Sequence, residues 1–299
     1  MPDPVTMQCL QVWGGNQAAD QTLRLTGLDG YLVSRPYEDA DAGGDVYYAS
    51  SCASGRITRI ILADVAGHGE TVARFAHDLR KLMQRFVNYA SHRKFIAALN
   101  QAFGEQTEVG RFATAVTLSY FAPKHELHLI NAGHPPPLYY CATTKQWATL
   151  HDGAIESDTK TDPDGSAGAT RDLPLGIEAG VGYRTIRRKL APNDLVLLYT
   201  DAFIEAKKPD GRLLGVAGLL DTVRKVAGDM DTLSPERLLP ELVAHLAADR
   251  AGTATLAGDD TTALLLRATG EKRKWGQVLT SPLHLVRGVA MGSRPTLTH

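Results

Sequence analysis

The sequence predicts an α+β protein built from two antiparallel sheets covered by helices. Three observations carry that expectation. Strand-like runs rich in Tyr, Ile, Val and Leu come in pairs around short turn signals. Other stretches switch to apolar spacings of three and four, which is helical. The order is strands, helices, more strands, helices and a last strand, which suits α+β rather than a regular βαβ alternation.

The first pair lies in "DVYYASSCASGRITRIILAD", residues 45–64. Tyr47, Tyr48, Ile57, Ile60 and Ile61 suit strands, and Ser54-Gly55 suits a tight turn between them. From residue 69 to about residue 92 the pattern changes. Val72, Phe75, Ala76, Leu79, Leu82, Met83, Phe86 and Val87 recur three and four apart and predict one amphipathic helix. A second helix is expected over 94–106. "FATAVTLSYF", "HELHLINAG" and "PPLYYCA" then read as an antiparallel meander, with Pro123-Lys124 turning between the first two. Residues 150–172 are polar and Gly-rich and read as a solvated loop, of a length often used for lids or flaps. "IRRKLAPNDLVLLYTD" reads as a strand pair around Pro192-Asn193. Helices are expected over 214–226 and 235–249, and "DDTTALLLRA" is the last strand. Residues 270–299, mildly basic at Lys272-Arg273-Lys274, read as an appendage and a candidate for disorder.

The 299 residues suffice for one large domain or two small ones with ample core. Hydrophobic content of 43% and charged content of 22% are ordinary for a soluble globular chain. A net charge of -1 creates no global field for nucleic acid or an anionic membrane. Cys9, Cys52 and Cys141 are scattered and lack metal-ligand spacing, which fits a reducing cytoplasm. No apolar run is long enough to span a bilayer, so no membrane insertion is expected.

The chemistry is punctuated by acids. Counting outward from Ser54-Gly55, Asp45 lies as far before the turn as Asp64 lies after it. In a two-residue hairpin such positions face each other across the ladder, about 5 Å apart. At an effective dielectric near 20, that repulsion costs roughly 3 kcal/mol. "DLVLLYTD" ends in Asp201, and "DDTTALLLR" opens with Asp259-Asp260. If those strands are antiparallel neighbours, Asp201 and Asp259 share a sheet edge. One acid at a strand end is ordinary surface chemistry. Four arranged this way point to hard divalent cations, Mg²⁺ or Mn²⁺, held by oxygen ligands. Zinc is disfavoured, because no His/Cys set has ligand spacing. Two such ions can clamp a phosphoryl group, so phosphate ester hydrolysis is the natural reaction.

Together these residues resemble the metal-dependent protein phosphatases (the PPM, or type 2C, family), in the branch typified by the stage II sporulation protein E. The matching pieces are "AGGD" (42–45), "ADVAGHG" (63–69), "FAT" (112–114) and "NAGHPPPL" (131–138), followed by "LPLGI" (173–177), "LLYTDAFIEA" (197–206) and "GDDTTALLL" (258–266). The resemblance implies a four-layer αββα sandwich over residues 27–268, with an N-terminal extension at 1–26 and a tail at 269–299. It implies a binuclear Mn²⁺/Mg²⁺ centre that hydrolyses phosphoserine or phosphothreonine on a protein. By motif, Asp45, Asp64, the Val65 carbonyl, Asp201 and Asp259 are the expected ligands, with Asp45 and Asp64 the candidate catalytic pair. Expected partners are phosphorylated anti-sigma antagonists of the STAS type in bacterial partner switching. Three positions depart from the branch. Tyr48 stands where a second acid is usual, Ala202 replaces the glycine of "TDG", and Asn193 replaces a glycine before the acid of the strand entering "TD".

Other residues are open to two readings. His68 is either a phosphate contact or proton donor, or a turn histidine that caps or packs under the helix. Gly67 and Gly69 would let backbone amides approach an anion at that helix start. Arg35 either binds substrate phosphate or forms a salt bridge within "RPYEDAD". His134 reads as a structural residue of the bend in "NAGHPPP". At the level of function, the alternative to an enzyme is a non-catalytic phosphatase-like module that binds a signalling partner.

Overall fold

The computed structural model describes residues 3–6, 12–52, 56–65, 70–86, 89, 91–106, 112–150, 172–228, 233–247, 256 and 258–270. The expectations for Ser54-Gly55, for 151–171 and for 271–299 lie outside the described residues. The first strands are β1 (Val5–Thr6), β2 (Val12–Gly15), β3 (Ala19–Leu25) and β4 (Leu28–Arg35). Then come β5 (Asp45–Cys52), β6 (Ile57–Val65), α1 (Glu70–Phe86) and α2 (His92–Gln106). The middle of the chain gives β7 (Ala113–Phe121), β8 (Glu126–Ala132), β9 (Leu138–Cys141) and β10 (Gln146–Thr149). The last third gives β11 (Ile186–Lys189), β12 (Leu195–Tyr199), α3 (Ala202–Glu205), α4 (Gly215–Gly228), α5 (Pro235–Ala247) and β13 (Thr261–Ala268).

Sheet I has the order β1-β3-β4-β13-β12-β9-β10, and sheet II the order β11-β8-β7-β6-β5-β2. Neighbours are antiparallel except the two-residue β1, which runs parallel to β3. Strand alternation divides the side chains between layers. On β5, Tyr47 and Ala49 enter the layer between the sheets, while Val46 and Tyr48 face α1 and α2. On β6, Ile60 and Leu62 point inward, and Ile61, Ala63 and Val65 face the helices. A second helical layer, with Phe203, Leu219, Leu239 and Leu242, covers the outer residues Leu197 and Leu265 of sheet I. The order is therefore the expected αββα. Residues 1–26, expected as an extension, supply β1 and β3 to sheet I and β2 to sheet II.

Three local expectations are corrected. The single helix expected over 69–92 ends at Phe86, and α2 starts at His92. Ser91 explains the new start: its carbonyl accepts the Phe95 amide at 3.0 Å and its Oγ accepts the Lys94 amide at 3.3 Å. The meander breaks after two strands, because β9 leaves β8 and joins sheet I. Gly133 makes that exit possible with φ +70, and a Cβ there would lie 2.5 Å from the Pro174 ring. Asn131 holds the bend, accepting the His134 amide at 2.7 Å and donating to its carbonyl at 2.8 Å. Likewise β11 and β12 are not partners: β11 pairs with β8 in sheet II, and β12 with β9 and β13 in sheet I.

Pro192-Asn193 is thus a crossing between sheets. Asn193 adopts φ +68 and donates its amide to Ala268 at 2.7 Å. The neighbouring Asp194 carboxylate, buried, accepts from the Tyr139 hydroxyl (2.6 Å), the Ala142 amide (2.9 Å) and the Ala191 amide (2.8 Å). The glycine usual at 193 is explained by this left-handed backbone, and Asn is the side chain that best tolerates it. Asn193→Gly should keep stability in urea unfolding, whereas Asn193→Val should cost about 1–2 kcal/mol. Equal stability of the two variants would contradict the backbone argument.

Candidate metal centre

The centre lies at one end of the sandwich, where strands from both sheets finish in acids. Asp45 and Asp64 are direct partners in the β5–β6 ladder, as the count around Ser54-Gly55 predicts. Asp45 is only 3% exposed. Its Oδ2 accepts the Thr200 hydroxyl at 3.0 Å, a bond from sheet II to the chain leaving β12 of sheet I. Thr200 Oγ1 in turn accepts the Thr262 amide at 3.0 Å, and Thr262 Oγ1 lies 3.0 Å from Ser34 Oγ. The carboxylate is therefore tied to three strands of the opposite sheet.

β12 and β13 are antiparallel neighbours, with Tyr199 opposite Ala263 and the Thr200 amide donating to Thr262 at 2.9 Å. Asp201 and Asp259 accordingly meet at the same sheet edge. Asp201 opens α3, and its carbonyl accepts the amides of Ile204 and Glu205, both at 2.8 Å. Glu205 comes one turn later on the side of the acids. Sequence reasoning missed it, although its spacing of four from Asp201 was available as a signal.

Asp260 was also missed as a separate actor. It is buried, and its Oδ1 accepts the Tyr37 amide at 2.7 Å and its Oδ2 the Gly44 amide at 2.5 Å. A Cβ at Gly43 would lie 2.4 Å from Asp260 Oδ1, which is why "AGGD" needs its first glycine. Asp260 holds the loop that presents Asp45, and its neighbour Asp259 is the exposed member of the pair. Val65 is buried, its amide bonds the Gly44 carbonyl at 3.3 Å, and its own carbonyl would lie 3.1 Å from a Cβ at Gly44. That carbonyl faces the same loop.

The electrostatics follow from crowding. Burial first, then Asp201, Asp259, Asp260 and Glu205, push Asp64 up to about 7. Burial, then Asp259 and Glu205, push Asp201 up to about 6. Burial and then Asp64 raise Asp45 well above the usual carboxylate range, eased by bonds from Thr262 and Thr200. His134, held down to about 3 by burial, pairs its Nδ1 with Thr114 Oγ1 at 2.8 Å. Thr114 is the cross-strand partner of Asp64, so the "FAT" and "NAGH" pieces join behind that acid.

The remaining candidates divide. His68, Gly67 and Gly69 lie outside the described residues. Arg35, opposite Thr261 at the same sheet end, is ion-paired with Asp20 and donates to the carbonyls of Ser34 (2.9 Å) and Ala19 (3.1 Å). Its ion pair lies outside "RPYEDAD". Tyr48 points to the α1 side of β5, away from Asp45, so it removes nothing from the acidic face. Ala202 is the first residue of α3 and is not among the left-handed residues, so its Cβ costs the backbone nothing.

The donor set is all oxygen, carboxylates and one carbonyl, with acids raised by burial and then by one another. That chemistry fits a hard divalent cation. Among the described residues, no group of three or more His, Cys, Asp or Glu side chains is gathered closely enough to hold an ion as they stand.

The raised acids have a pH signature. Asp64 binds its proton up to about pH 7 in the folded chain against 3.8 for an unperturbed carboxyl. The folded state then holds more protons, so this group's contribution falls as pH rises from about 4 to 7. Buried His92 and His134, both held near 3, act oppositely and lose stability as pH falls below 6.5. The difference between variants isolates the acid. In chelator, Asp64→Asn should melt higher than the wild type at pH 7.5, by at least about 2 °C. The gap should close towards pH 4. A gap that does not change with pH would contradict a raised Asp64.

The profile of the stage II sporulation protein E (SpoIIE) family matches residues 54–269. No curated protein gives a significant match. Among solved structures, the chain is similar to the RsbU and RsbW domains of a Mycobacterium tuberculosis protein. Identity there is 22% and the TM-score 0.62, over 89% of this chain and 69% of that one. It is also similar to the PP2C phosphatase domain, with a fragment of the regulatory domain, of SpoIIE from Bacillus subtilis. The values are 14% and 0.60, over 87% and 64% of the two chains. RsbX in complex with magnesium gives 14% and 0.57, over 83% and 99%. At these identities the likeness is one of fold, and it is the αββα fold built above. The profile match covers well over half of the sequence, and the chain belongs to the stage II sporulation protein E (SpoIIE) family.

Proposed function

We propose that the protein is a divalent-cation-dependent phosphatase that removes phosphate from serine or threonine of a partner protein. The observation that carries this reading is that Asp45 and Asp64 of one sheet lie near enough to the strand-end acids Asp201 and Asp259 of the other for these to act on Asp64. Membership in the SpoIIE family supports it, as does the fold shared with RsbX, which was solved with magnesium. Asp45, Asp64, the Val65 carbonyl, Asp201 and Asp259 would hold two Mn²⁺ or Mg²⁺ ions. Bound cations of this kind supply an activated water and neutralise charge on the phosphoryl group.

The chain's own contribution is placement. Thr200 keeps one oxygen of Asp45 in a fixed direction. Asp260 holds the Gly43-Gly44 loop against sheet I, which sets where Asp45 enters. The α1 core side of β6 leaves Asp64 on the inner face, where burial and then neighbouring acids raise it. Phosphate esters hydrolyse extremely slowly in water, so a rigid acidic end of this kind suits the task. The substrate in this reading is a phosphorylated protein of a partner-switching pathway, of the STAS anti-sigma antagonist type, in the cytoplasm. No helix among the described residues is long and apolar enough to cross a membrane.

One observation favours a second reading, a phosphatase-like binding module: no three acids among the described residues converge on a point. Two experiments decide. Asp64→Asn and Asp201→Asn should each lower Mn²⁺-dependent hydrolysis of p-nitrophenyl phosphate at least about 100-fold with circular dichroism unchanged. Undiminished turnover in these variants would sink the ligand assignment. Calorimetry with Mn²⁺ should show two binding events, and Mn²⁺ at 100 times the Kd of a site should stabilise the fold by about 2.7 kcal/mol through that site. No heat and no thermal shift would favour the module.

A further inference from the structure

Tyr37 is a large side chain left 39% exposed at the edge of the acidic end. It sits in the short 3₁₀ turn Tyr37–Asp39 between β4 and β5. Its backbone is held there by the Asp260 carboxylate, which accepts its amide at 2.7 Å. Its ring lies against the chain at Gly258, where an added Cβ would come within 2.9 Å of Cε2. Gly258 immediately precedes Asp259, so the ring stands beside an expected cation ligand. The next residue, Glu38, takes φ +52 and ψ +33, a left-handed conformation that costs a non-glycine residue energy. The Glu38 carboxylate and, more weakly, that of Asp259 lie near enough to act on the Tyr37 phenol. The result is an aromatic face anchored at its base, backed by a glycine, open on one side and edged by carboxylate.

A phosphate group is the same on every phosphoprotein, so the acidic end itself cannot distinguish one substrate from another. Discrimination has to come from what surrounds it. A pinned tyrosine offers contact area at low entropic cost. An electron-rich face edged by carboxylate suits a cation above all. We infer that Tyr37 is a specificity-determining residue that receives a lysine or arginine flanking the phosphorylated serine or threonine of the substrate. This rests on the phosphatase reading above.

The test uses the full chain with Mn²⁺ and two classes of substrate. One is p-nitrophenyl phosphate, which has no flanking residue. The other is a set of phosphothreonine peptides identical except for Arg, Leu or Asp in the flanking positions. The wild type should favour the Arg peptides over the Asp peptides, through KM. Tyr37→Ala should lower kcat/KM on the Arg peptides about fivefold, leave the Asp peptides unchanged and leave p-nitrophenyl phosphate within twofold. Tyr37→Phe, which keeps the ring, should keep the preference. Several results overturn the assignment of Tyr37 alone. They are a wild type without preference, a Tyr37→Ala loss equal on all substrates, or a Tyr37→Phe loss as large as that of Tyr37→Ala. A wild type inactive on every substrate defeats the phosphatase reading instead, and this inference falls with it.

Discussion

A slip of one residue between β5 and β6 would destroy both the core and the candidate centre. Tyr47 and Ala49 would leave the layer between the sheets, and Asp45 would turn towards α1. The register that prevents this also sets two carboxylates opposite each other. The apolar layers therefore hold in place a repulsion that the acids alone would relax. This is the constraint on which the rest depends, because every other feature at that end answers it. Thr200 and Thr262 donate towards Asp45, and Asp260, which adds to the cluster's charge, is itself held by two backbone amides. Stability and placement of charge are opposed here, and the polar ties between sheets are where the opposition is balanced.

Much of this was legible in the sequence, and the limits have physical causes. Strand pairing around a short turn is local, so counting from Ser54-Gly55 was enough to bring Asp45 and Asp64 together. The neighbouring of β12 and β13 followed from the same logic of acids at matching ends. Alternation, however, reports which face of a strand is buried and not which strand lies beside it. That is why β9 and β11 were assigned to the wrong neighbours: the Gly133 and Asn193 bends are single-residue events that send the chain to the other sheet. The different duties of Asp259 and Asp260 were hidden for a related reason. β13 reads Ala-Leu-Leu-Leu because it is buried on both faces, so no polar alternation marks which of the two acids points inward. Only the side chains of Leu264 and Leu266, which share the inner layer with the parity of Asp260, reveal it.

The departures from the family pattern look different once the backbone is in view. A glycine matters where its conformation or its missing Cβ is used. Position 193 uses the left-handed conformation and keeps a residue able to adopt it. Position 202 uses neither, since Ala202 begins a helix and is buried without left-handed geometry. Position 48 faces the helical layer, where a tyrosine is ordinary core. None of the three changes bears on the inner face that carries Asp45 and Asp64.

The choice between an enzyme and a binding module therefore does not turn on these substitutions. It turns on the acids themselves. A module that only docks a partner gains nothing from burying carboxylates opposite one another, and each raised acid is a standing cost to the fold. Replacing Asp64 by a neutral residue would relieve that cost within the same fold. Carboxylates kept buried and crowded at such a cost fit groups retained for what they bind, and an all-oxygen set of donors suits multivalent positive charge. That argument favours the cation-dependent enzyme over the module, and it does so from the energetics of this chain rather than from its relatives.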